Sequence, residues 1–483
     1  MNSLGLQTYV ELFHFPSLAQ SNVFNLTYMK SDHVMKRLKH NRKTYDILVA
    51  FFRPVSDPIA SKYAFSIHHF DVEDRIIQPI TKTIDFAYLP GASDIVCINA
   101  LHDELTDEYF VAIGFVKEGE KGYLNIYRSK SEEKLPENCL SYSKLPCAPL
   151  HLTHAYCLVK DEHQWAFFLS YGEPFSDNLN ENKTSNQPQV RIFSKLIDIN
   201  IFEQVETNED PKPSELNQSQ TSHSTTAYGE LSFNTAMVLF PELTKLPTTS
   251  IFLHMDFKII NNLRLSAFGS QDGWFGLFVV DMQSRTTIRH FNLSHESPIT
   301  CIKIFQQFSG LNLASQDVIK NDEDVSILKK DVNCLVCSAF EPTVVYCNLF
   351  KNNGFNVANQ LILPFSTDFD HVNCASVDDF NLDGSNEILL GTFGQRLLYY
   401  EWESSSSSSN TENIKNGQYI LKAQRSLPGP VFCISPALDL IGEGSLSLAI
   451  LTSRGLHIFQ HDTNCLIKEI HHRLDNHLIS VNK

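Results

Sequence analysis

The chain has 483 residues, 42% of them hydrophobic and 11% aromatic, which is enough apolar material for a large folded core. Its formal net charge of −16 disfavours nucleic acid and anionic membranes as direct partners, because both bind basic surfaces. Residues 1–8 lack a basic and apolar leader, no apolar stretch is long enough for a membrane span, and five of the eleven cysteines lie in apolar runs. These features predict a soluble, intracellular protein with reduced thiols.

The apolar runs have the length and spacing of strands rather than helices. Runs of five to eight residues alternate with polar turns and fall into sets of up to four. In chain order, the seven sets cover residues 20–90, 91–145, 146–206, 245–295, 296–365, 366–426 and 427–475. Seven four-stranded sets predict an all-β chain in which residues 1–483 form a single seven-bladed β-propeller with WD/FG-GAP-like blades.

The two ends of the chain are expected to meet in the last blade. A strand at residues 9–13 or at residues 23–26 is predicted to complete that blade and close the ring, which removes open sheet edges. Residues 465–470 are interpreted as a strand of the same set, and weak helical spacing over residues 467–479 leaves open whether the strand then turns into a short helix. Polar insertions at residues 177–189, 207–224, 309–324 and 403–417 are predicted to be surface loops.

The sequence lacks the residue sets typical of an enzyme. It contains neither a Gly-x-Ser-x-Gly elbow nor a glycine-rich phosphate loop. His151 and His154 are three apart on a predicted strand, so they are not expected to face each other. The same alternation places Cys334 and Cys337 on opposite faces, which disfavours a shared zinc ion. We therefore predict a non-catalytic protein without a required cofactor.

Residues 379–387 carry the most specific motif. Oxygen-bearing side chains alternate along this loop and precede a buried strand, namely Asp379, Asn381, Asp383, Ser385 and Glu387, with Gly384 at the sharp turn. The loop resembles the FG-GAP repeat of β-propellers, whereas an EF-hand is disfavoured because its twelfth position is Leu390. Two interpretations stay open: a calcium site, or a tight turn whose carboxylates cap backbone amides. A copy at residues 439–447 has lost two oxygen positions, which favours the turn.

A series of ordered segments resembles the kaptin family of β-propeller proteins. The segments lie at residues 20–23, 124–127, 239–243, 264–267, 281–285, 341–346, 381–387, 394–398 and 455–458. The resemblance implies a scaffold subunit of the KICSTOR complex, paired with a second FG-GAP propeller and attached to a very large scaffold protein. It further implies recruitment of the GATOR complex to the lysosomal surface, and suppression of TOR signalling when amino acids or glucose are scarce. No direct insertion into the membrane is expected.

The resemblance also implies an alternative role in binding F-actin, in the cytoplasm or in actin-rich cell projections. An acidic filament needs a basic surface, and the densest basic region is Lys36, Arg37, Lys39, Arg42 and Lys43. A solvated loop is the alternative interpretation of that region. Trp274 and Trp402 are candidates for partner contacts, with burial in the sheet cores as the alternative.

Overall fold

Twenty-eight strands form seven four-stranded antiparallel sheets in the part of the chain that the structure, a computed structural model, describes. The described residues are 5–16, 24–31, 44–52, 63–73, 76–90, 93–117, 122–131, 134–159, 162–174, 188–195, 228–307, 332–404, 417–442 and 444–481. The sheets follow one another along the chain as the blades of a ring. This confirms the predicted all-β, seven-bladed propeller.

Six of the seven blades take their four strands from one continuous stretch of the chain, and the seventh combines both ends. Blade 1 contains β2 (Leu26–Lys30), β3 (Tyr45–Phe52), β4 (Tyr63–Glu73) and β5 (Ile76–Ile84), and blade 2 contains β6 (Ser93–Asp103), β7 (Glu108–Lys117), β8 (Gly122–Ser129) and β9 (Cys139–Lys144). Blade 3 contains β10 (Cys147–Val159), β11 (Glu162–Pro174), β12 (Val190–Lys195) and β13 (Tyr228–Glu230), and blade 4 contains β14 (Phe252–Ile260), β15 (Leu263–Ser270), β16 (Trp274–Asp281) and β17 (Thr286–Ser294). Blade 5 contains β18 (Ile299–Phe305), β19 (Asn333–Ser338), β20 (Val344–Tyr346) and β21 (Gln360–Ile362), and blade 6 contains β22 (Val372–Asp378), β23 (Glu387–Thr392), β24 (Arg396–Ser404) and β25 (Gly417–Ser426). Blade 7 contains β26 (Val431–Ile434), β27 (Ser447–Thr452), β28 (Gly455–His461) and, from the other end of the chain, β1 (Tyr9–Pro16).

The ring closes by pairing the two ends of the chain. Strand β1 runs antiparallel to β28, from Tyr9 opposite His461 to Pro16 opposite Gly455. Residues 9–13 therefore supply the closing strand, which is one of the two predicted choices. The other choice is wrong, because Leu26 begins β2 in blade 1.

The predicted strand at residues 465–470 is also wrong. Residues Thr463–Val481 form a helix, α2, whose first turn is capped where Asp462 Oδ1 accepts a hydrogen bond from the Cys465 amide at 3.0 Å. Because β1 already occupies the outer edge of blade 7, this segment has no sheet edge to pair with and satisfies its backbone as a helix. A shorter helix, α1 (Phe233–Leu239), lies between blades 3 and 4.

The cores lie between neighbouring blades, and strand alternation decides which core a side chain enters. On β23, Ile388 and Leu390 pack toward blade 5, whereas Leu389 packs toward blade 7. The blades approach so closely at Gly391 that an added Cβ would lie 2.5 Å from Val431 Cγ1. The first strands of successive blades contact one another and surround the centre of the ring.

The polar insertions lie outside the described residues, apart from residues 188–189, 403–404 and 417. The fourth strand of blade 3, β13, comes after the insertion at residues 207–224, so this blade extends beyond the range 146–206 that the sequence pattern predicts.

Candidate functional site

The loop at residues 379–387 joins β22 to β23 and caps its own backbone. Asp379 accepts hydrogen bonds from the amides of Asp383 and Gly384, each at 2.9 Å. Asn381 Oδ1 accepts from the same Asp383 amide at 2.8 Å, and Asp383 Oδ1 accepts from the Ser385 amide at 2.7 Å. Gly384 has a φ of 89°, a left-handed conformation that favours glycine. The side chains therefore form the tight turn that one of the two interpretations describes.

The same loop brings three carboxylates together. Oxygens of Asp379, Asp383 and Glu387 lie within 4.8 Å of one another. Glu387 is buried, and burial together with the charges of Asp383 and Asp379 raises its carboxyl pKa to about 9. Its Oε2 accepts a hydrogen bond from the Asn381 amide at 3.1 Å. Carboxylate oxygens converging from a short loop suit calcium, so calcium binding stays a prediction for this loop.

Both ends of the chain are anchored on the loop. The carbonyl of Phe380 accepts hydrogen bonds from Tyr9 Oη at 3.2 Å and from His461 Nε2 at 2.7 Å. Arg473 of α2 donates to the carbonyl of Leu382 and, at 3.1 Å, to that of Asn381. The loop therefore joins blade 6 to the closing strands and to the terminal helix. Sequence patterns could not single out Arg473, because its partners are backbone carbonyls distant along the chain.

Both tryptophan candidates are partly buried between strands. Trp274 packs against the core shared by blades 3 and 4, with its ring 6.0 Å from that of Phe252. Trp402 packs against the core between blades 5 and 6, with its ring 5.1 Å from that of Tyr419. The basic residues Lys36, Arg37, Lys39, Arg42 and Lys43 lie outside the described residues.

Three other aromatic side chains are far more exposed. Phe340, Phe365 and Phe393, which we call the aromatic patch, are 83%, 61% and 45% exposed. Phe340 and Phe393 lie between the second and third strands of blades 5 and 6, and Phe365 lies in the connection between these blades. Such connections emerge on the same face of a propeller, because adjacent strands are antiparallel. Sequence patterns could not reveal this patch, because exposure in a turn leaves no periodicity.

Hydrogen bonds join the loops that carry the aromatic patch. The Leu363 amide donates to the Thr343 carbonyl at 2.9 Å, and the Phe393 amide donates to the His371 carbonyl at 2.9 Å. Phe365 itself has a φ of 63°, a strained conformation for an aromatic residue. Exposed aromatic side chains on one face of a folded domain are typical of protein interaction sites.

A second apolar surface lies on the opposite face. Ile467, Ile470 and Leu474 of α2, which we call the helix stripe, are each about half exposed and follow helical spacing along one side. Helix α2 contacts the loop between the first and second strands of blade 6 through Arg473. That loop emerges on the face opposite to Phe393, which lies between the second and third strands. The aromatic patch and the helix stripe therefore lie on opposite faces of the ring.

A buried ion pair ties blade 4 to the segment that precedes it. Arg264 donates to Glu242 through Nε at 3.0 Å and Nη2 at 2.9 Å, and both side chains are 0% exposed. Arg264 also donates to the carbonyls of Tyr156 in blade 3 and Leu239 in α1, and Ser266 donates to Glu242 at 2.8 Å. Two segments identified from sequence, residues 239–243 and 264–267, are therefore bonded to each other.

A cavity of about 540 Å³ opens at the centre of the ring, and both His151 and His154 line it. Strand alternation predicted that these two histidines would not face each other, and their contacts confirm it. His151 lies toward blade 4, where its Nδ1 accepts a hydrogen bond from the Met255 amide at 3.2 Å, whereas Nδ1 of His154 lies 2.7 Å from Asn99 Oδ1 in blade 2. Burial lowers the pKa of His154 to about 4, so this imidazole is neutral near pH 7.

Cys334 and Cys337 enter different inter-blade cores, as alternation predicted. Cys337 lies instead directly opposite Cys301 of β18, in the antiparallel register of β18 with β19. Cys301 Sγ is 3.7 Å from Nε2 of His254, a residue of the central cavity wall. The thiols of Cys301, Cys334 and Cys337 are buried, and none of the eleven cysteines of the chain forms a disulfide.

Comparison with known proteins identifies relatives over most of the chain. The sequence model of the family described as "KICSTOR complex protein kaptin" matches residues 9–199 and 218–471. The mouse KICSTOR complex protein kaptin is 29% identical over 395 residues, which cover 80% of this chain and 77% of the mouse protein. No helix among the described residues is long and apolar enough to span a membrane.

Two solved structures resemble the chain at low sequence identity. The N-terminal region of BBS1, crystallised in complex with ARL6, has a TM-score of 0.48 at 9% identity and covers 96% of this chain and 99% of its own. The Dos1 propeller has a TM-score of 0.43 at 8% identity and covers 94% and 95%. The family match, which spans most of the chain, confirms the resemblance found in the sequence: this chain belongs to the KICSTOR complex protein kaptin family.

Proposed function

We propose that this chain is a non-catalytic scaffold that holds two protein partners at once, one on each face of the ring. Family membership and the propeller fold support a scaffold-type protein. The observation that carries the proposal is the placement of two exposed apolar surfaces, the aromatic patch and the helix stripe, on opposite faces of one ring. Exposed patches of this kind on folded domains mark protein interaction sites.

The partners we propose follow from the family. A second FG-GAP propeller and a very large scaffold protein occupy the two surfaces, and the assembly recruits the GATOR complex to the lysosomal surface. In this role the chain holds its two partners next to each other. Losing either surface releases one partner and leaves the other bound. The outcome for the cell is suppression of TOR signalling when amino acids or glucose are scarce.

Binding of F-actin is the second function considered from the sequence. Its candidate residues, from Lys36 to Lys43, lie outside the described residues, so no described contact favours it. We therefore keep actin as an outcome of the experiment rather than as a second proposal.

The experiment compares tagged variants expressed in the protein's own cells. Replacing Phe340 and Phe393 with Ser removes most of the aromatic patch, and replacing Ile467 and Leu474 with Ser removes most of the helix stripe. Leu105→Ser is the matched control, because Leu105 is 73% exposed in the turn between β6 and β7 and belongs to neither surface.

We expect each double variant to lose one partner and to keep the other. An anchor residue at the centre of an interface contributes about 2 kcal/mol, or roughly 30-fold in affinity, so the lost partner falls to background in quantitative mass spectrometry. The Leu105 variant keeps both partners. Equal recovery of all partners from both double variants and the control would contradict the two-surface scaffold.

A further inference from the structure

Three potential metal ligands meet where the first strand closes the ring. They are Glu11 and His14 on β1 and His457 on β28, and their ligand atoms lie within 4.8 Å of one another. His14 lies directly opposite His457 in the strand pairing, with ring centroids 4.2 Å apart. Oε1 of Glu11 is 2.6 Å from Nδ1 of His457. Two imidazoles and a carboxylate form a donor set that zinc prefers.

A β-bulge brings Glu11 into this group. Residues three apart on a regular strand point to opposite faces, so Glu11 and His14 are not expected on one side. The pairing runs from Glu11 opposite Phe459 to Phe13 opposite Ile458, which leaves Leu12 as an extra residue in β1. The extra residue resets the alternation and turns Glu11 to the side of His14. Bulges often re-aim side chains in this way at functional sites.

The ring of His457 is held by a hydrogen-bonding neighbour. Its Nε2 lies 3.1 Å from Thr452 Oγ1, which in turn lies 3.2 Å from the carbonyl of Gly455 and accepts from the Arg454 amide at 3.1 Å. When the Thr452 hydroxyl donates to Gly455, its oxygen accepts from the Nε2–H of His457. Metal-bound histidines usually have such an outer partner on their second nitrogen.

That arrangement leaves the other nitrogen of His457 facing a carboxylate. With the proton on Nε2, Nδ1 presents a lone pair to the oxygen of Glu11 at 2.6 Å. In this tautomer two acceptors face each other, and a cation between them satisfies both. The opposite tautomer, in which Nδ1–H donates to Glu11, closes the network without a metal and is the alternative that the experiment distinguishes.

We propose that Glu11, His14 and His457 bind one zinc ion that fastens β1 to β28 and so locks the ring closed. Water takes the fourth position of a tetrahedral site. To bind the ion, the exposed ring of His14 rotates away from the ring of His457 and brings a nitrogen to the metal. The Glu11 side chain, which is 42% exposed, moves away from His457 by less than about 1 Å to make room for the ion. Arg425 also acts on Glu11 electrostatically, but its guanidinium is held by the carbonyls of Leu6 and Tyr9.

The test is metal binding by the purified full-length chain after treatment with a chelator. We expect calorimetry with zinc chloride to give one ion per chain, and cobalt(II) to give the visible absorption of a tetrahedral site. Zinc also raises the thermal unfolding midpoint, because it binds only the closed ring. His14→Gln lowers the zinc affinity at least about tenfold, and Thr452→Val, which keeps all three ligands, lowers it about 10- to 100-fold.

The matched control is His290→Gln. His290 is exposed on β17, the outermost strand of blade 4, just as His14 is exposed on the outermost strand of blade 7. This variant keeps the affinity of the unmodified chain. Absence of one-to-one binding, or binding that His14→Gln and Glu11→Gln leave unchanged, overturns the proposal. In the second case the ion binds elsewhere and the Glu11–His457 contact is an ordinary hydrogen bond.

Discussion

Replacing Glu242 with Gln tests how much of the stability depends on one buried ion pair. In the folded protein Glu242 accepts two hydrogen bonds from Arg264 and one from Ser266, and no part of either charged side chain is exposed. The substitution keeps the shape of the side chain and removes its charge. The guanidinium of Arg264 then stays buried without a counter-ion, although the carbonyls of Tyr156 and Leu239 still accept from it.

The expected cost follows from that burial. Removing one partner of a buried pair destabilises a protein by about 3–5 kcal/mol, because the remaining charge is uncompensated. For a chain of 483 residues, an unfolding entropy of roughly 2.1 cal/mol/K per residue converts 1 kcal/mol into a shift of about 1 °C. We therefore expect Glu242→Gln to lower the thermal midpoint by about 3–5 °C.

An exposed ion pair in blade 3 provides the control. Arg191 and Glu230 lie 2.9 Å apart, the same separation as Arg264 Nη2 and Glu242, but their side chains are 30% and 36% exposed. Glu230→Gln should cost less than about 1 kcal/mol, because solvent screens such pairs. The assay is differential scanning fluorimetry of the two variants side by side. Equal shifts in the midpoint would refute the reasoning from burial.

The remaining predictions concern blade 6 and the loop at residues 379–387. Ile388 is buried between blades 5 and 6, so Ile388→Asp places an uncompensated charge there at a cost of several kcal/mol. We expect rapid cleavage of this variant in limited proteolysis. Protection equal to that of the unmodified chain contradicts the burial of Ile388. The pKa of Glu387 is raised from 4.5 to about 9 in the folded chain. Between these two pH values the folded chain retains a proton that the unfolded chain loses, so without calcium the free energy of unfolding falls as pH rises from 4.5 to about 9. Glu387→Gln should reduce this fall in the thermal midpoint between about pH 5 and pH 9, and an unchanged pH profile contradicts the assignment. If calcium binds the loop, about 1 mM calcium raises the midpoint of the unmodified chain but not that of Asp379→Asn, and an equal rise in both rules the loop out. Arg473→Ala should increase hydrogen exchange in α2, because the Arg473 guanidinium bonds it to the loop; exchange that stays the same shows that other contacts hold the helix.

The sequence contains enough information for the architecture, because each blade repeats a pattern of short apolar strands. The loop at residues 379–387 was also found from sequence, since its oxygen-bearing residues lie close together along the chain. The sequence alone does not distinguish a capped turn from a calcium site. In the structure, Asp379 caps backbone amides of the loop and is also one of the three carboxylates that converge there.

What the sequence could not reveal depends on contacts between distant residues or on local irregularities. Residues 465–470 have the composition of a strand, yet they are helical because β1 already occupies the edge of blade 7. Glu11 lies on the same side as His14 because a bulge in β1 interrupts the alternation between them. The aromatic patch lies in turns, where exposure follows from the folded ring and not from any periodicity.

The most direct test of the scaffold is to purify the tagged, unmodified chain from its own cells after nutrient withdrawal and to identify what remains bound by mass spectrometry. We predict recovery of a second FG-GAP propeller and a very large scaffold protein in one assembly, together with components of the GATOR complex. Recovery of the chain alone, or of actin without these proteins, would contradict the account.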